Sequence, residues 1–214
     1  MPAGRGVAGI RKSGMLQDHL QMLKGTEGEK IHAMALSFET RDPFTAGHQR
    51  RVSKLAGAIA REMGVSDSDF NGISLAAAIH DIGKSSVPAG ILNKPGPLND
   101  FELSLVKGHP QSGHDMLRGI EFSWPVAEIV LQHHEMVDGS GYPLGLRGNE
   151  IMPHSRIVTV ADVFEAMISD RPYRRRFSVG LALAHLIENA GILYDEQAVD
   201  ACIWLFKVKG FSLE

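Results

Sequence analysis

An imidazole and a carboxylate stand next to each other at His80 and Asp81, directly after the apolar stretch 73–79. Divalent metal ions bind this mixture of imidazole nitrogen and carboxylate oxygen. The chain offers five further residues of the same two types: His48, His109, His133, His134 and Asp162. These positions are far apart in the sequence, so only a folded core can bring them together. The residue types therefore predict a metal centre assembled by the tertiary structure.

The spacing of these residues from their apolar neighbours predicts that they face inward. His48 precedes Val52 by four positions and His133 follows Ile129 by four, which in a helix places each histidine on the buried face. Asp162 interrupts an apolar stretch, where a lone carboxylate carries a large desolvation cost without a cation or several donors. Helical bundles generally build metal sites from ligands on several helices that converge on one polar point.

Apolar residues recur every three or four positions through most of the chain, and alternating strand patterns are weak. We therefore predict an all-α domain, an irregular helical bundle. The predicted helices cover about residues 52–63, 67–79, 99–106, 125–133, 157–169, 179–188 and 196–206. Gly64 is placed to end the first of them, and Asn99 with Glu102 resembles a capping box. Loops are predicted at 85–97 and 138–153, and the length of the second favours a functional role.

The bulk composition narrows the class of protein. With 214 residues, a net charge of −3 and a pI near 6.4, we predict one domain without a broad basic surface for duplex nucleic acid. Cys202 is the only cysteine, which excludes an intrachain disulfide and favours a reducing cytoplasm. No apolar run is long enough to cross a bilayer. Residues 1–27 are interpreted as an arm, a linker or a cloning remnant, and 28–214 as the domain.

A simpler interpretation of each histidine has to be weighed. A single histidine is more often a hydrogen-bonded core or surface residue than a ligand, and an adjacent His-Asp pair also arises by chance. The set of seven inward-facing residues is much harder to explain in that way. The histidines that do not belong to this set are expected to have no role in the centre: His19, His32, His114, His154 and His185.

Several short motifs occur in order between about residues 29 and 202. They are Arg41-Asp42-Pro43-Phe44-Thr45-Ala46-Gly47-His48, His80-Asp81-Ile82-Gly83-Lys84, His109-Pro110, His133-His134-Glu135, Asp138-Gly139-Ser140-Gly141-Tyr142-Pro143, and Val160-Ala161-Asp162 with the later Ser169-Asp170-Arg171-Pro172-Tyr173-Arg174. Together they resemble the HD-GYP domains, a bacterial branch of the HD metal-dependent phosphohydrolase superfamily. The resemblance implies a helical bundle of the HD-domain type with a long GYP loop.

The resemblance also implies an activity and its metals. The family hydrolyses cyclic di-GMP to linear pGpG, or onward to GMP, with a hydroxide that bridges two metal ions, generally iron or manganese. By matching positions, one ion would be held by His48, His80, Asp81 and Asp162, and Asp81 would bridge to a second ion held by His109, His133 and His134.

Further matching positions imply roles around the substrate. Lys84 would meet a phosphate oxygen and stabilise developing negative charge, and Asp42 would orient the water or move a proton. With Asp81 these are the predicted catalytic residues. The predicted substrate-binding residues are Lys84, Gly141, Tyr142, Arg171 and Arg174. Arginine offers bidentate contacts to phosphate or guanine, and tyrosine offers an aromatic face. For the glycines of the GYP loop, Gly141 among them, the alternative interpretation is a plain tight turn, and the two interpretations are compatible.

Two positions depart from the family pattern. Phe44 lies four residues before His48, where some members carry a glutamate that recruits a third metal. We therefore expect two metals and pGpG as the main product. Glu165 stands where aspartate is more usual, three residues after Asp162, and is expected beside the ligands rather than among them.

Two other functions stay open at this point. One is hydrolysis of another nucleotide, such as a mixed cyclic dinucleotide. The other is an inactive domain that binds ligand or docks a partner such as a diguanylate cyclase. The GYP loop with Arg171 and Arg174 favours cyclic di-GMP, and the complete ligand set argues against an inactive domain. Residues 15–30 are interpreted as the end of a linker helix that carries a signal from an upstream sensor or receiver domain, or contributes to a homodimer.

Overall fold

A computed structural model of the chain describes residues 47–170 and 175–213. These residues form α-helices and two short 3₁₀ segments, Ile82–Ser86 and Gly148–Glu150, and within them the only β-type pairing is an isolated bridge between Ala190 and Tyr194. In chain order the α-helices are α1 His48–Glu62, α2 Asp67–Ile79, α3 Ala89–Leu92, α4 Asp100–Lys107, α5 His109–Leu117, α6 Val126–Gln132, α7 Pro153–Ile168, α8 Val179–Glu188 and α9 Glu196–Lys207. The prediction of an all-α fold is confirmed.

The core forms around α7, which packs against α1, α2, α6, α8 and α9. Leu55, Ile73, Ile129 and Phe164 come from four different helices and are fully buried in one apolar cluster. Burial of such side chains is the main favourable term in folding. Asp162 lies on α7 two residues before Phe164 and is only 7% exposed, so the core surrounds a carboxylate.

The helix ends follow local sequence signals. α1 is followed by Gly64, whose φ of +71° is a left-handed conformation that glycine adopts without a steric cost. Ser66 caps α2 by accepting a hydrogen bond from the Asp69 backbone N–H at 3.1 Å. Asn99 and Glu102 form a complete capping box at the start of α4. The predicted end of α1 and the predicted capping box are confirmed.

Two helices were not expected from apolar periodicity. The short α3 lies inside the predicted loop 85–97, and α5 was not predicted at all. The buried face of α5 consists of His109, Pro110, Gly113 and Leu117, so it carries almost none of the apolar repeat that marks other helices. Its small residues allow close packing against the 3₁₀ segment that follows α2.

The second predicted loop, 138–153, contains the Gly141-Tyr142-Pro143 motif and is the GYP loop. Before α7 begins it includes only the short 3₁₀ segment. No helix in the described ranges combines the length and the apolar character needed to cross a bilayer. Residues 1–46 lie outside these ranges, so the boundary between residues 27 and 28 and the linker at 15–30 stay predictions.

Candidate metal centre

The structure brings all seven predicted ligands together at one place in the core. They form two groups, and within each group the potential ligand atoms lie within 4.8 Å of one another. The first group is His48, His80 and Asp162, and the second is Asp81, His109, His133 and His134. Six of the seven lie at or just beyond a helix end, and Asp162 comes from the middle of α7. Convergence of helix ends therefore positions the centre.

Asp81 lies between the two groups. Its Oδ2 is 3.5 Å from His80 Nε2 and 3.8 Å from His48 Nε2, whereas its Oδ1 is 3.3 Å from His109 Nε2. The two oxygens of one carboxylate therefore face different sets of histidines. Asp162 has a related arrangement, with Oδ1 at 3.2 Å from His48 Nε2 and Oδ2 at 4.0 Å from His134 Nδ1. Asp81, which lies between the two groups, is therefore placed to serve a cation in each of them.

Backbone carbonyls orient three of the imidazoles. In His80, His109 and His133, Nδ1 lies 2.8, 2.7 and 2.6 Å from the backbone oxygen three residues earlier. A carbonyl can only accept, so each Nδ1 carries the proton and each Nε2 presents a lone pair to the centre. Metal-binding histidines are commonly held in this way.

The resulting donor set fits divalent metal ions. His109 Nε2 and His133 Nε2 are 3.2 Å apart, and two lone pairs at that separation repel unless they share a cation. Among the described residues, His80 Nε2 and Asp81 Oδ1 are buried side-chain atoms without a hydrogen-bond partner. Buried acceptors of this kind are costly unless a ligand satisfies them. The mixed nitrogen and oxygen donors suit a divalent transition-metal ion.

The protonation states of His133, His134 and Asp81 also favour metal binding. Burial, followed by the neighbouring imidazoles, lowers the pKa of His133 well below its usual value, and burial lowers the pKa of His134 to about 3. Burial alone would raise the pKa of Asp81, but Lys84 and the neighbouring histidines hold it well below its usual range. Neutral imidazoles and ionised carboxylates are the forms that bind a metal.

Glu165 supports His48 from outside the centre. It is fully buried, and its Oε2 accepts a hydrogen bond from His48 Nδ1. Its Oε1 accepts from Arg51 Nε at 2.5 Å and from Ser169 Oγ at 2.7 Å. Burial lowers the pKa of His48, but hydrogen bonds to Asp162 and Glu165 outweigh it and raise the pKa to about 9. A metal ion that binds His48 Nε2 therefore has to displace a proton from the ring. The residue that departs from the family pattern therefore fixes the direction in which His48 Nε2 points.

Two of the predicted substrate-binding residues lie at the centre. Lys84 Nζ is 2.6 Å from Asp81 Oδ2, on a side chain that is about one-fifth exposed. The Tyr142 ring stacks on the His134 ring with centroids 4.8 Å apart and planes 30° apart. Burial raises the pKa of Tyr142, so its phenol is uncharged at neutral pH. An ammonium group and an aromatic face thus border the metal ligands.

Two further residues near the centre, Lys107 and Glu135, had no role predicted from the sequence. Lys107 Nζ lies 5.3 Å from the centre of the Tyr142 ring, within the range of a cation–π contact. Its position two residues before His109 was the available signal. Glu135 belongs to the motif His133-His134-Glu135 and is 2% exposed. Both of its carboxylate oxygens accept hydrogen bonds from the GYP loop.

The remaining predicted site residues are Gly141 and three residues that the structure does not describe. A Cβ at Gly141 would lie 2.4–2.5 Å from backbone atoms of the segment 134–136, so glycine is required there for close approach of the loop. These three are Asp42, Arg171 and Arg174, and Phe44, the position that departs from the family pattern, also lies outside the described residues.

Comparison with known proteins identifies relatives of this chain. A sequence model of the HD domain family matches residues 33–198. The chain is 41% identical over 179 residues to the protein named "Cyclic di-GMP phosphodiesterase response regulator RpfG" from Xanthomonas campestris, a match that covers 83% of this chain and 47% of that protein. It is 38% identical over 171 residues to "3'3'-cGAMP-specific phosphodiesterase 3" from Vibrio cholerae, covering 80% of this chain and 37% of that protein.

A solved structure shows the same fold. "Bd1817, a HDG"Y"P protein from Bdellovibrio bacteriovorus" superposes with a TM-score of 0.65 at 21% sequence identity, covering 90% of this chain and 68% of that one. The chain spans less than half the length of the two curated relatives above.

Proposed function

The chain belongs to the HD domain family, in its HD-GYP branch, and we propose that it hydrolyses cyclic di-GMP to linear pGpG. The observation that carries this proposal is the Asp81 carboxylate, whose two oxygens face two groups of buried imidazoles. A centre of that design suits two metal ions acting on one phosphodiester. The name of the Xanthomonas relative supports cyclic di-GMP as the substrate.

We infer that His48, His80, Asp81 and Asp162 hold one ion, and that Asp81, His109, His133 and His134 hold the other. Iron or manganese is the proposed metal. When bound, the two ions would supply Lewis-acid chemistry: they would polarise phosphate oxygens and lower the pKa of a water molecule. Phe44 stands where a third-metal glutamate occurs in some HD-GYP domains, so two ions and pGpG as the main product are proposed.

The chain's own side chains then position the substrate and stabilise charge. Lys84 Nζ lies within hydrogen-bond distance of Asp81, and a phosphate held beside Asp81 is within its reach. There it stabilises the negative charge that develops as the ribose 3′ oxygen leaves. Asp42 is proposed to orient the water or to take its proton.

Tyr142 offers an aromatic surface to a base or ribose of the substrate, and Arg171 and Arg174 are proposed to grip phosphate or a guanine edge. Gly141 lets Tyr142 approach the centre closely.

A second substrate has direct support from the comparisons. The Vibrio cholerae relative is named for 3'3'-cGAMP, a mixed cyclic dinucleotide, and matches this chain almost as well. The full set of seven candidate ligands argues against an inactive binding domain. The Xanthomonas relative is named a response regulator, which supports the proposal of an upstream receiver domain. A diguanylate cyclase partner, a homodimer and a cytoplasmic location stay predictions.

The proposal is tested by anaerobic turnover of cyclic di-GMP with protein loaded with Fe(II) or Mn(II), with products separated by chromatography and metal content measured. We expect pGpG to accumulate, and no product from a His80→Ala, Asp81→Ala double variant. A parallel assay with 3'3'-cGAMP separates the two substrates. Protein that holds two metals and turns over neither dinucleotide contradicts the proposal.

A further inference from the structure

Glu135 is a buried carboxyl group that neither metal group uses. It directly follows His134 and is 2% exposed. Its Oε1 accepts a hydrogen bond from the Leu144 backbone N–H at 2.7 Å, and its Oε2 accepts one from the Leu146 backbone N–H at 3.0 Å. Both oxygens therefore bind the GYP loop, and Glu135 belongs to neither group of potential ligands.

The loop is attached to the same segment at a second point. The Tyr142 backbone N–H donates to the His134 carbonyl oxygen at 3.1 Å. A Cβ at Gly141 would lie 2.4 Å from Met136 N and 2.5 Å from His134 O, so the loop backbone is pressed against the metal-ligand segment. These contacts hold the backbone at Gly141 and at the Tyr142 amide. Glu135 holds the backbone after Tyr142, at Leu144 and Leu146.

The side chain held by these contacts is the Tyr142 ring. It stacks on the His134 imidazole at 4.8 Å, and Lys107 Nζ approaches the ring at 5.3 Å. The ring and the ammonium group together form a surface beside the second group of ligands. Because stacking requires a defined ring position, loss of the loop attachment is expected to affect this surface before it affects the metals.

We propose that Glu135 is a positioning residue for substrate binding, which acts by holding Tyr142 over His134 rather than by binding metal. The inference rests on the proposed function, since it assigns Tyr142 to contact with the cyclic dinucleotide. Two simpler roles are distinguishable from it. A carboxylate next to two histidine ligands can be a metal ligand, and a buried carboxylate can serve only the stability of the fold.

The test is a double-mutant cycle on metal-loaded protein with Glu135→Gln, Tyr142→Ala and the double variant. Glutamine keeps the volume of the side chain but turns an NH₂ group toward one backbone N–H. We expect KM for cyclic di-GMP to rise about tenfold in Glu135→Gln, with kcat changed less, because a buried backbone donor that loses its acceptor destabilises the loop conformation that holds Tyr142. In the Tyr142→Ala background the same substitution should have no further effect on KM.

Three further measurements separate the roles. Metal content should stay at the wild-type value, and hydrogen exchange of the loop 138–150 should become faster in Glu135→Gln without substrate present. Glu150→Gln is the matched control, because Glu150 also accepts a loop N–H, from Arg147 at 2.8 Å, but is exposed. It should leave KM unchanged.

The proposal is overturned if Glu135→Gln loses metal, if its KM is that of the wild type, or if KM rises equally in the Tyr142→Ala background. Failure of both Glu135→Gln and Glu135→Asp to fold would assign the residue to stability and would also overturn it. Wild-type turnover tests the proposed function separately, and metal content and hydrogen exchange test Glu135 whether or not cyclic di-GMP is the substrate.

Discussion

Replacement of Glu165 by glutamine is expected to weaken one metal site and spare the other. The Glu165 carboxylate accepts from His48 Nδ1 through one oxygen and from Arg51 and Ser169 through the other. Glutamine has a single acceptor oxygen, so its NH₂ group must face either His48 or Arg51, both of which are donors. If it faces His48, the imidazole loses the partner that directs Nε2 into the centre.

The size of the effect follows from the role of Glu165 behind a ligand. Removal of such an outer partner typically costs about 10- to 100-fold in metal affinity, which is about 1.4–2.8 kcal/mol. Among the histidines of the two groups, Glu165 contacts only His48, which belongs with His80 and Asp162. The loss should therefore fall on one site, while the site with His109, His133 and His134 keeps its affinity.

Anaerobic calorimetric titration of metal-free protein with Mn(II) or Fe(II) measures both sites. The matched control is Glu62→Gln, which removes a surface ion pair with Lys209 at the far end of α1, about 20 Å along the helix from His48. It should titrate like the wild type. Two unchanged sites in Glu165→Gln, or an equal loss at both sites in a variant that melts at the wild-type temperature, would refute the reasoning.

Three further predictions concern packing, substrate and the thiol. A Cβ at Gly83 would lie 1.9 Å from the His109 carbonyl oxygen, so Gly83→Ala should lower the free energy of unfolding by about 3 kcal/mol in urea denaturation. Gly90→Ala, where a Cβ meets no atom within 4 Å, is the control, and equal stabilities would contradict the packing argument. Lys107→Gln should raise KM for cyclic di-GMP about threefold, as expected of an exposed charge contact, and should weaken the salt dependence of KM. An unchanged KM at low salt would remove Lys107 from the binding surface. Cys202 is fully buried and burial raises the pKa of its thiol to about 12, so iodoacetamide at neutral pH should label it only in urea. Rapid labelling of the native protein would show that the thiol is accessible.

Local sequence signals were enough to predict most of the helices. The prediction of a helix over 179–188 matches α8, and the capping box at Asn99 and Glu102 lies where it was expected. Such signals work because helix caps and apolar repeats act between residues a few positions apart. The same reasoning missed α5, whose buried face is His109, Pro110, Gly113 and Leu117. That helix is held mainly by its packing against other segments.

The types and inward spacing of the candidate ligands could also be read from the chain. The sequence alone indicated which histidines and aspartates belong together, because a buried polar residue on an apolar face has few alternatives. The resemblance to the HD-GYP domains added a division into two sites with a bridging Asp81, and the structure places the Asp81 oxygens between two groups of imidazoles.

The partners of the two buried glutamates were decided only by the tertiary structure. Glu135 and Glu165 both lie close to candidate ligands in sequence, and both are almost fully buried. One accepts from the GYP loop and the other from His48, Arg51 and Ser169. For each glutamate the sequence provides only the residue type, its charge and its spacing from nearby residues, and these do not identify its hydrogen-bond partners. The direction in which each carboxylate points depends on how distant helices and a loop pack against it, and that packing is not encoded in any short segment of the chain.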